Sequence, residues 1–432
     1  ERAGYMFLSG PAAGVVGALE AARLSGFQRI ISMDMGGTSC DVGSAVDGRF
    51  LLQSDREVEF QIPLRVPALD VVTIGAGGGS IARVDAGGAL AVGPDSAGAA
   101  PGPACYGNGG TAPTVTDANV VLGRLRDGPI AGGAVEISSS AAREAVERGV
   151  AAPLGLDVEA AALGILEIAT AKMANAIREV SVSRGHDPRD FVLVAFGGAG
   201  PLHAGYVAQE LSVPRILVPK SPGILSAMGC MLSDVRFDYM RSILEILDDR
   251  TVATMATVAK DLRADGNALL TEDGFSESGK TFLYAADMRY LGQVHEVSVD
   301  LPGDVEQWSA ESIGALFNRA HEAHYGTPFA GQAIEVVNIR VAAVGRTPKP
   351  TWVQTAMRTD AGAPEPLERR KVIFREGEYD CPIYDRESLA AGDVLVGPAV
   401  IESLDSTVVV LPNTTASVDG YEALLIEQGG AK

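Results

Sequence analysis

A chain of 432 residues with a formal net charge of −20 is poorly suited to bind nucleic acid or an anionic membrane, since both would repel it. With 47% hydrophobic residues and 51 glycines but only 6% aromatics, its cores must be built from small aliphatic side chains and tight turns; the length predicts two or three domains. The four cysteines (Cys40, Cys105, Cys230, Cys381) lie far apart with no Cys-x-x-Cys spacing, which argues against a disulfide frame or thiolate zinc site and points to a reducing, cytoplasmic compartment. No apolar run reaches 18 residues, so no membrane span is expected. The sequence starts at Glu1 without a basic-then-apolar leader and enters a motif-rich stretch at once, which reads as part of a longer polypeptide.

In chain order, residues 5–10 read as a strand entering a turn, and Ser9-Gly10-Pro11 opens a helix over 12–25 that Gly26 ends. Gly14 and Gly17 in this helix permit either an anion at its start or close packing on a sheet. A strand then delivers Asp34, followed by Met35-Gly36-Gly37-Thr38-Ser39-Cys40-Asp41 and a return to apolar residues: strand, tight turn, strand. Gly36 and Gly37 let the backbone come close to a ligand, and Thr38 and Ser39 add hydroxyl donors. Asp34 and Asp41 add carboxylates suited to Mg2+ or a polarised water beside a phosphate.

Residues 42–66 alternate as strands, with Asp47-Gly48 as a hairpin turn. A further strand runs into Gly75-Ala-Gly-Gly-Gly79, where either a ligand or another chain segment must approach the backbone closely. Residues 86–113 read as a long functional loop containing Cys105, taken as a small buried hydrophobe rather than a reactive thiol. Thr116 or Asp117 caps the next helix; another spans 138–150; the helix 157–183 carries Leu163, Leu166, Thr170, Met173, Ile177 and Val180 as one core-facing stripe.

The second focus is Phe191-Val-Leu-Val-Ala-Phe196, a strand buried on both faces, running into Gly197-Gly198-Ala199-Gly200-Pro201-Leu202-His203. Strand, glycine turn and proline at a helix start make a helix N-terminus open to a ligand. His203 either touches that ligand or caps and packs. Beyond a strand at 215–219, composition shifts: helices near 251–265 and 309–324 alternate with strands near 280–289, 293–300 and 334–344. His321 and His324 share a helix face read as solvated, and His295 is placed to face a cleft. The boundaries are therefore 1–235 for a first domain with an insert at about 67–115, 236–345 for an α+β domain, and 346–432 for a small β-rich module behind a Pro-rich linker.

Taken together, Ser9-Gly-Pro-Ala-Ala-Gly-Val-Val-Gly, Asp34-Met-Gly-Gly-Thr-Ser, Gly75-Ala-Gly-Gly-Gly-Ser, Pro101-Gly-Pro-Ala-Cys-Tyr-Gly, Pro113-Thr-Val-Thr-Asp-Ala-Asn, Phe196-Gly-Gly-Ala-Gly-Pro-Leu-His-Ala and Gly397-Pro-Ala-Val-Ile-Glu resemble the hydantoinase A / oxoprolinase family. Its members include ATP-dependent N-methylhydantoinase, 5-oxoprolinase and biotin-independent ketone carboxylase subunits. The resemblance implies an α/β, actin-like ATPase fold with ribonuclease H-like halves. It implies Asp34–Asp41 as a second phosphate loop and Gly197–Gly200 as the turn beside adenosine. By this carry-over Asp34 and Asp41 are catalytic and Asp34 holds Mg2+; Gly36, Gly37, Thr38, Ser39, Gly197, Gly198, Gly200 and His203 bind ATP. The family also carries an earlier Asp-x-Gly-Gly-Thr loop that has no second copy here, so an upstream half and a hydantoinase B-type subunit are the expected partners. The implied activity is ATP-dependent opening of a cyclic amide such as a hydantoin, lactam or 5-oxoproline. The alternatives are a ketone carboxylase subunit and a non-catalytic partner that keeps the fold.

Overall fold

The structure is a computed structural model that describes residues 9–53, 56–58, 62–64, 68–326, 329, 331–358 and 364–429. Most of the strand read at 5–10 and part of the 42–66 alternation lie outside the described residues. The chain divides into two compact units, Glu1–Met231 with Thr351–Lys432, and Leu232–Pro350.

In the first unit, α1 (Ser9–Leu24) ends before Gly26, which takes φ +87°. β1 (Ile30–Met35) and β2 (Cys40–Val46) form a hairpin about Gly36-Gly37, and β3 (Val71–Ile74) pairs antiparallel with β2. After α2 (Val115–Val121) and α3 (Val158–Val180) comes β4 (Val192–Phe196), parallel to β1 with Asp34 opposite Phe196. α4 (Gly200–Leu211) leads to β5 (Arg215–Val218), parallel to β4, and α5 (Leu225–Leu232) follows.

The sheet is buried on both faces, as the unbroken apolar run of β4 requires. Alternate residues sort accordingly. Ile30, Val192, Val194 and Phe196 pack with Ala18, Leu19 and Ala22 of α1 and Leu225 of α5. Ile31, Met33, Leu193 and Ala195 pack with Ile165, Met173 and Ile177 of α3 and Val207 of α4. The stripe read on α3 is core at Leu166, Thr170, Met173, Ile177 and Val180, and half-buried at Leu163. This helix, with the turn after it, is long and apolar enough by composition to cross a membrane. Its apolarity is accounted for by the face it lays on the sheet.

The segment read as a separate C-terminal module is continuous with this unit. Strand Leu424–Glu427 pairs antiparallel with β5, and Thr415–Val418 and Val394–Val396 extend the sheet beyond it. The open edge of β5 and the burial of Leu424 and Ile426 draw these strands in. A second sheet of Glu368–Phe374, Gly377–Asp385, Ala399–Glu402 and Thr407–Val410 belongs to the same unit. The long loop read at 86–113 contains strand Leu90–Ser96, paired with Ser80–Val84.

The second unit is a four-stranded sheet in the order β6 (Val235–Ile246), β9 (Ile334–Gly345), β7 (Lys280–Tyr290), β8 (Val297–Leu301). α6 (Asp249–Glu272) and α7 (Ala310–Tyr325) supply Met255, Ala259, Ile313 and Phe317 to a core with Tyr284, Met288, Ile339 and Val341. The sequence reading did not foresee β6. His321 is not on a solvated face: it is fully buried among Tyr290, Phe317 and Phe329, because it lies one turn after Phe317 on the same side of α7. His324 and His295 are exposed.

Candidate functional site

Parallel pairing of β1 and β4 brings their C-terminal ends, and the glycine turn after each, to one edge of the sheet. Such an edge is where open α/β sheets bind ligands. The first turn is closed by Gly36 N–H donating to Ser39 O at 3.1 Å. The second is fastened by Gly197 N–H to Pro222 O at 3.0 Å and Ala199 N–H to Met35 O at 2.9 Å. A cleft of about 660 Å³ opens here, lined by Gly36, Gly37 and Gly78 and by Gly198, Ala199 and Leu202. A side chain built on Gly36 or Gly37 would meet nothing within 4 Å, and on Gly198 only Asp405 O at 3.6 Å. These backbones face open space that a ligand can fill.

Asp34 and Asp41 sit opposite each other across the β1–β2 ladder. Asp34 Oδ2 accepts from Ser226 Oγ at 2.8 Å, and Asp41 Oδ1 accepts from Thr73 Oγ1 at 2.5 Å. Burial pushes the Asp34 carboxyl above its ordinary value; the Ser226 hydrogen bond offsets part of this and the Asp41 charge adds to it. Asp41 is raised by burial too, against the Thr73 hydrogen bond. Two carboxylates held near each other at the cost of desolvation are a place a divalent cation would relieve. Among the described residues no group of three His, Cys, Asp or Glu side chains is gathered as a metal site.

The cleft therefore joins Gly36, Gly37 and Gly198. Asp34, Asp41, Thr38, Ser39, Gly197, Gly200 and His203 stand outside its lining. Gly197 takes φ +78°, and a side chain there would collide with the Asp34 carboxylate and Met35 O. A Cβ on Gly200 would stand 3.3 Å from Met33 O. His203 is 2% exposed, with Nε2 3.5 Å from Asn119 Nδ2; burial first, then the Arg124 charge, push its pKa down to about 3. It is a neutral packing histidine, one of the two roles the sequence left open.

The Gly75–Gly79 cluster answers to another chain segment. Gly78 N–H donates to Gly36 O at 3.0 Å and Gly79 N–H to Gly37 O at 2.6 Å, and a Cβ on Gly77 would stand 2.5 Å from Gly37 C. The cluster braces the first turn from behind. Thr116 Oγ1 in turn donates to Gly78 O at 2.9 Å. The cap of α2 is Thr114, not Thr116 or Asp117. Asp117 completes a capping box, and its fully buried carboxylate accepts from the N–H groups of Ala104, Cys105 and Thr114. It ties down the Pro101–Gly107 loop, which presents Tyr106 to the cleft. Burial pushes the Cys105 thiol up, which leaves it unreactive.

The opposite wall was missed by the sequence reading. Leu367, Asp385, Glu387 and residues 402–407 line the cleft from the C-terminal segment. The turn at 403–406 is closed by Ser403 N–H to Ser406 O at 2.9 Å. Asp405 Oδ2 accepts from Gly223 N–H at 2.8 Å, which pins the turn beside the second glycine turn. The only signal in the sequence was the Gly397-Pro-Ala-Val-Ile-Glu motif leading into it.

The hydantoinase/oxoprolinase profile matches residues 1–239, and its C-terminal domain profile matches residues 247–428. The chain belongs to the hydantoinase/oxoprolinase family. Caprolactamase subunit alpha of Pseudomonas jessenii is 37% identical over 425 residues, covering 97% of this chain and 61% of that protein. Among solved structures of the family, the crystal structure of ATP-dependent caprolactamase from Pseudomonas jessenii superposes with a TM-score of 0.83 at 36% identity, covering 98% of this chain and 61% of the other. Nucleotide-free acetone carboxylase gives 0.82 at 27%, covering 97% and 61%. The chain thus spans about three fifths of these relatives, whose mixed α/β fold with several sheets it shares.

Proposed function

We propose that this chain is the nucleotide-handling part of an ATP-dependent cyclic-amide hydrolase that works with partner subunits. The observation that carries the reading is the convergence of two glycine turns, after the adjacent parallel strands β1 and β4, on one cleft whose glycine backbones face open space. Amide groups at such turns suit phosphate oxygens. Asp34 and Asp41 are the residues that would hold the divalent cation accompanying ATP, and Ser226 and Thr73 orient their carboxylates. Bound there, Mg2+ would offset phosphate charge.

The chemistry assigned is phosphoryl transfer from ATP to the ring carbonyl oxygen. The resulting imidate phosphate is attacked by water, the ring C–N bond opens, and phosphate leaves. An unstrained ring amide is a poor electrophile, so activation is the difficult step. The chain's part is to bind the nucleotide, exclude water from the turn and aim the γ-phosphate. The hydrolase reading rests on the 37% identity to caprolactamase subunit alpha; acetophenone carboxylase gamma subunit, at 34%, keeps ketone carboxylation as the second reading that the substrate panel decides.

The test is phosphate release with a panel of lactams, hydantoins, 5-oxoproline and ketones, with and without the upstream half and a B-type subunit. The chain alone is expected to bind Mg-ATP weakly and turn over negligibly, and a ring amide should stimulate release in the assembled enzyme. Asp34→Asn should abolish that release while the protein stays folded. Near-normal turnover in the variant would reduce Asp34 to a turn residue, and release stimulated by ketones alone would move the chain to the carboxylases.

A further inference from the structure

The two walls of the cleft differ in chemistry. The wall of Gly36, Gly37, Gly198 and Thr116 carries no charged side chain. Facing it, Asp385, Glu387, Glu402 and Asp405 all come from the C-terminal segment. Arg126 is the one cation in the lining, and its Nε and Nη2 already donate to Pro129 O at 3.1 and 2.7 Å. Two of the acids are engaged: Glu402 Oε1 accepts from Arg370 Nη2 at 2.7 Å, and Asp405 accepts from Gly223 N–H and Ser403 Oγ. Asp385 Oδ1 accepts from the Glu387 N–H at 3.2 Å; the exposed Glu387 carboxylate interacts with the Arg386 charge but makes no side-chain hydrogen bond among the described residues.

The same wall keeps large aliphatic side chains in water. Leu404 is 70% exposed and Leu367 is 66% exposed, yet both line the cleft together with Leu125 and Ile130. Leu404 reaches across toward the turn at Ala131–Gly133, where its Cδ1 would stand 3.0 Å from a Cβ on Gly132.

If the cleft takes a nucleotide, as proposed, its charge pattern fixes the direction. A triphosphate on the C-terminal wall would lie beside four carboxylates; at the first glycine turn it would meet backbone and the Thr116 hydroxyl, with the Asp34 and Asp41 carboxylates behind the turn where the accompanying cation is assigned. We propose that the C-terminal wall is the nucleoside subsite: Leu367 and Leu404 cover the face of a purine, and Glu387 accepts hydrogen bonds from the ribose hydroxyls. An acidic side chain on a ribose diol is a common solution in nucleotide sites. Apolar side chains over a base face lose water-exposed area when the ligand arrives.

The experiment is calorimetric titration of the purified chain with Mg-ATP, Mg-2′-deoxy-ATP and Mg-tripolyphosphate, with thermal melts to verify folding. Leu404→Ser should weaken ATP roughly tenfold and leave tripolyphosphate unchanged. Glu387→Gln should narrow the preference for ATP over 2′-deoxy-ATP. Equal weakening of ATP and tripolyphosphate by Leu404→Ser, or no weakening of ATP, overturns the subsite while leaving the nucleotide reading intact. An unchanged ATP to 2′-deoxy-ATP ratio in Glu387→Gln overturns the ribose assignment. A wild-type chain that binds neither ATP nor tripolyphosphate overturns the nucleotide reading and the subsite together.

Discussion

The turn at Gly36-Gly37 and the cluster at Gly75–Gly79 are both glycine-rich ends of strands, and they use their glycines for opposite purposes. At Gly36 and Gly37 a side chain would enter open space at the cleft. At Gly77 it would stand 2.5 Å from the backbone of Gly37 and Thr38, and at Gly79 it would stand 2.9 Å from Gly37 O. One set of glycines leaves room for a ligand; the other lets one chain segment lie on another. Glycine content alone does not separate these cases, because both need a backbone stripped of Cβ. What separates them is whether the partner atoms belong to the protein.

The largest expected effect tests the second purpose. Gly77→Ala must push β3 and its following turn away from Gly37, breaking the Gly78 and Gly79 hydrogen bonds to the first turn. A loss of about 3 kcal/mol is expected, since neither contacting backbone can rotate aside. Denaturant unfolding measures it. A stable Gly77→Ala protein that loses nucleotide binding would instead place a ligand at the cluster and erase the contrast.

His203 draws the same distinction for a side chain. It stands three residues into α4, immediately beyond the second glycine turn, yet it faces the protein rather than the cleft. Its pKa is pushed down to about 3 in the fold from an ordinary 6.5, so the unfolded chain binds the extra proton first as pH falls. The stability it contributes is complete above about pH 6.5 and is lost progressively toward pH 3. At pH 4.5 the loss is about 2–3 kcal/mol. His203→Gln should flatten the stability profile between pH 6.5 and 4.5, as read by urea midpoints. An unchanged slope would mean that His203 is protonated in the fold and solvated at the site.

What could be read from residues alone was local. Strand, glycine turn and flanking carboxylates at 30–41, and strand, glycine turn and proline at 191–201, appear in the fold as β1, β2, β4 and the start of α4, because turn chemistry and apolar runs act over a few residues. The far wall of the cleft was not legible. Residues 402–407 reach the glycine turns through long-range contacts: the pairing of Leu424–Glu427 with β5, the Asp405 bond to Gly223, and the packing of Val409 and Leu411 on Leu202 and Tyr206 of α4, all about 180 residues or more apart in sequence. The cap of α2 fell two or three residues early, at Thr114 rather than Thr116 or Asp117, for a related reason: Asp117 looked like a cap, and its buried carboxylate serves a loop that only the fold brings near. His321 was misread because its neighbours Tyr290 and Phe329 come from elsewhere in the unit.

Gly37→Ala is the mildest change, and it sets the two purposes against each other within one protein. Gly37 is exposed, has no backbone strain that demands glycine, and offers an added methyl open space. On stability alone the substitution should be neutral or should help by about 0.4–1 kcal/mol, since alanine restricts the unfolded chain more than glycine does. On binding it should hurt if the proposed nucleotide site is right, because the methyl projects where its phosphates would approach the turn amides. Roughly a tenfold loss of Mg-ATP affinity is expected, near 1.4 kcal/mol. The two signs are opposite, so general damage to the fold cannot imitate the result. Thermal melts and calorimetry on the same sample read both. Should Gly37→Ala unfold more easily than wild type, the first turn is braced by protein as the cluster is. Should it melt higher and bind Mg-ATP as well as wild type, the phosphates lie away from Gly37, and the glycine wall of the cleft has another use.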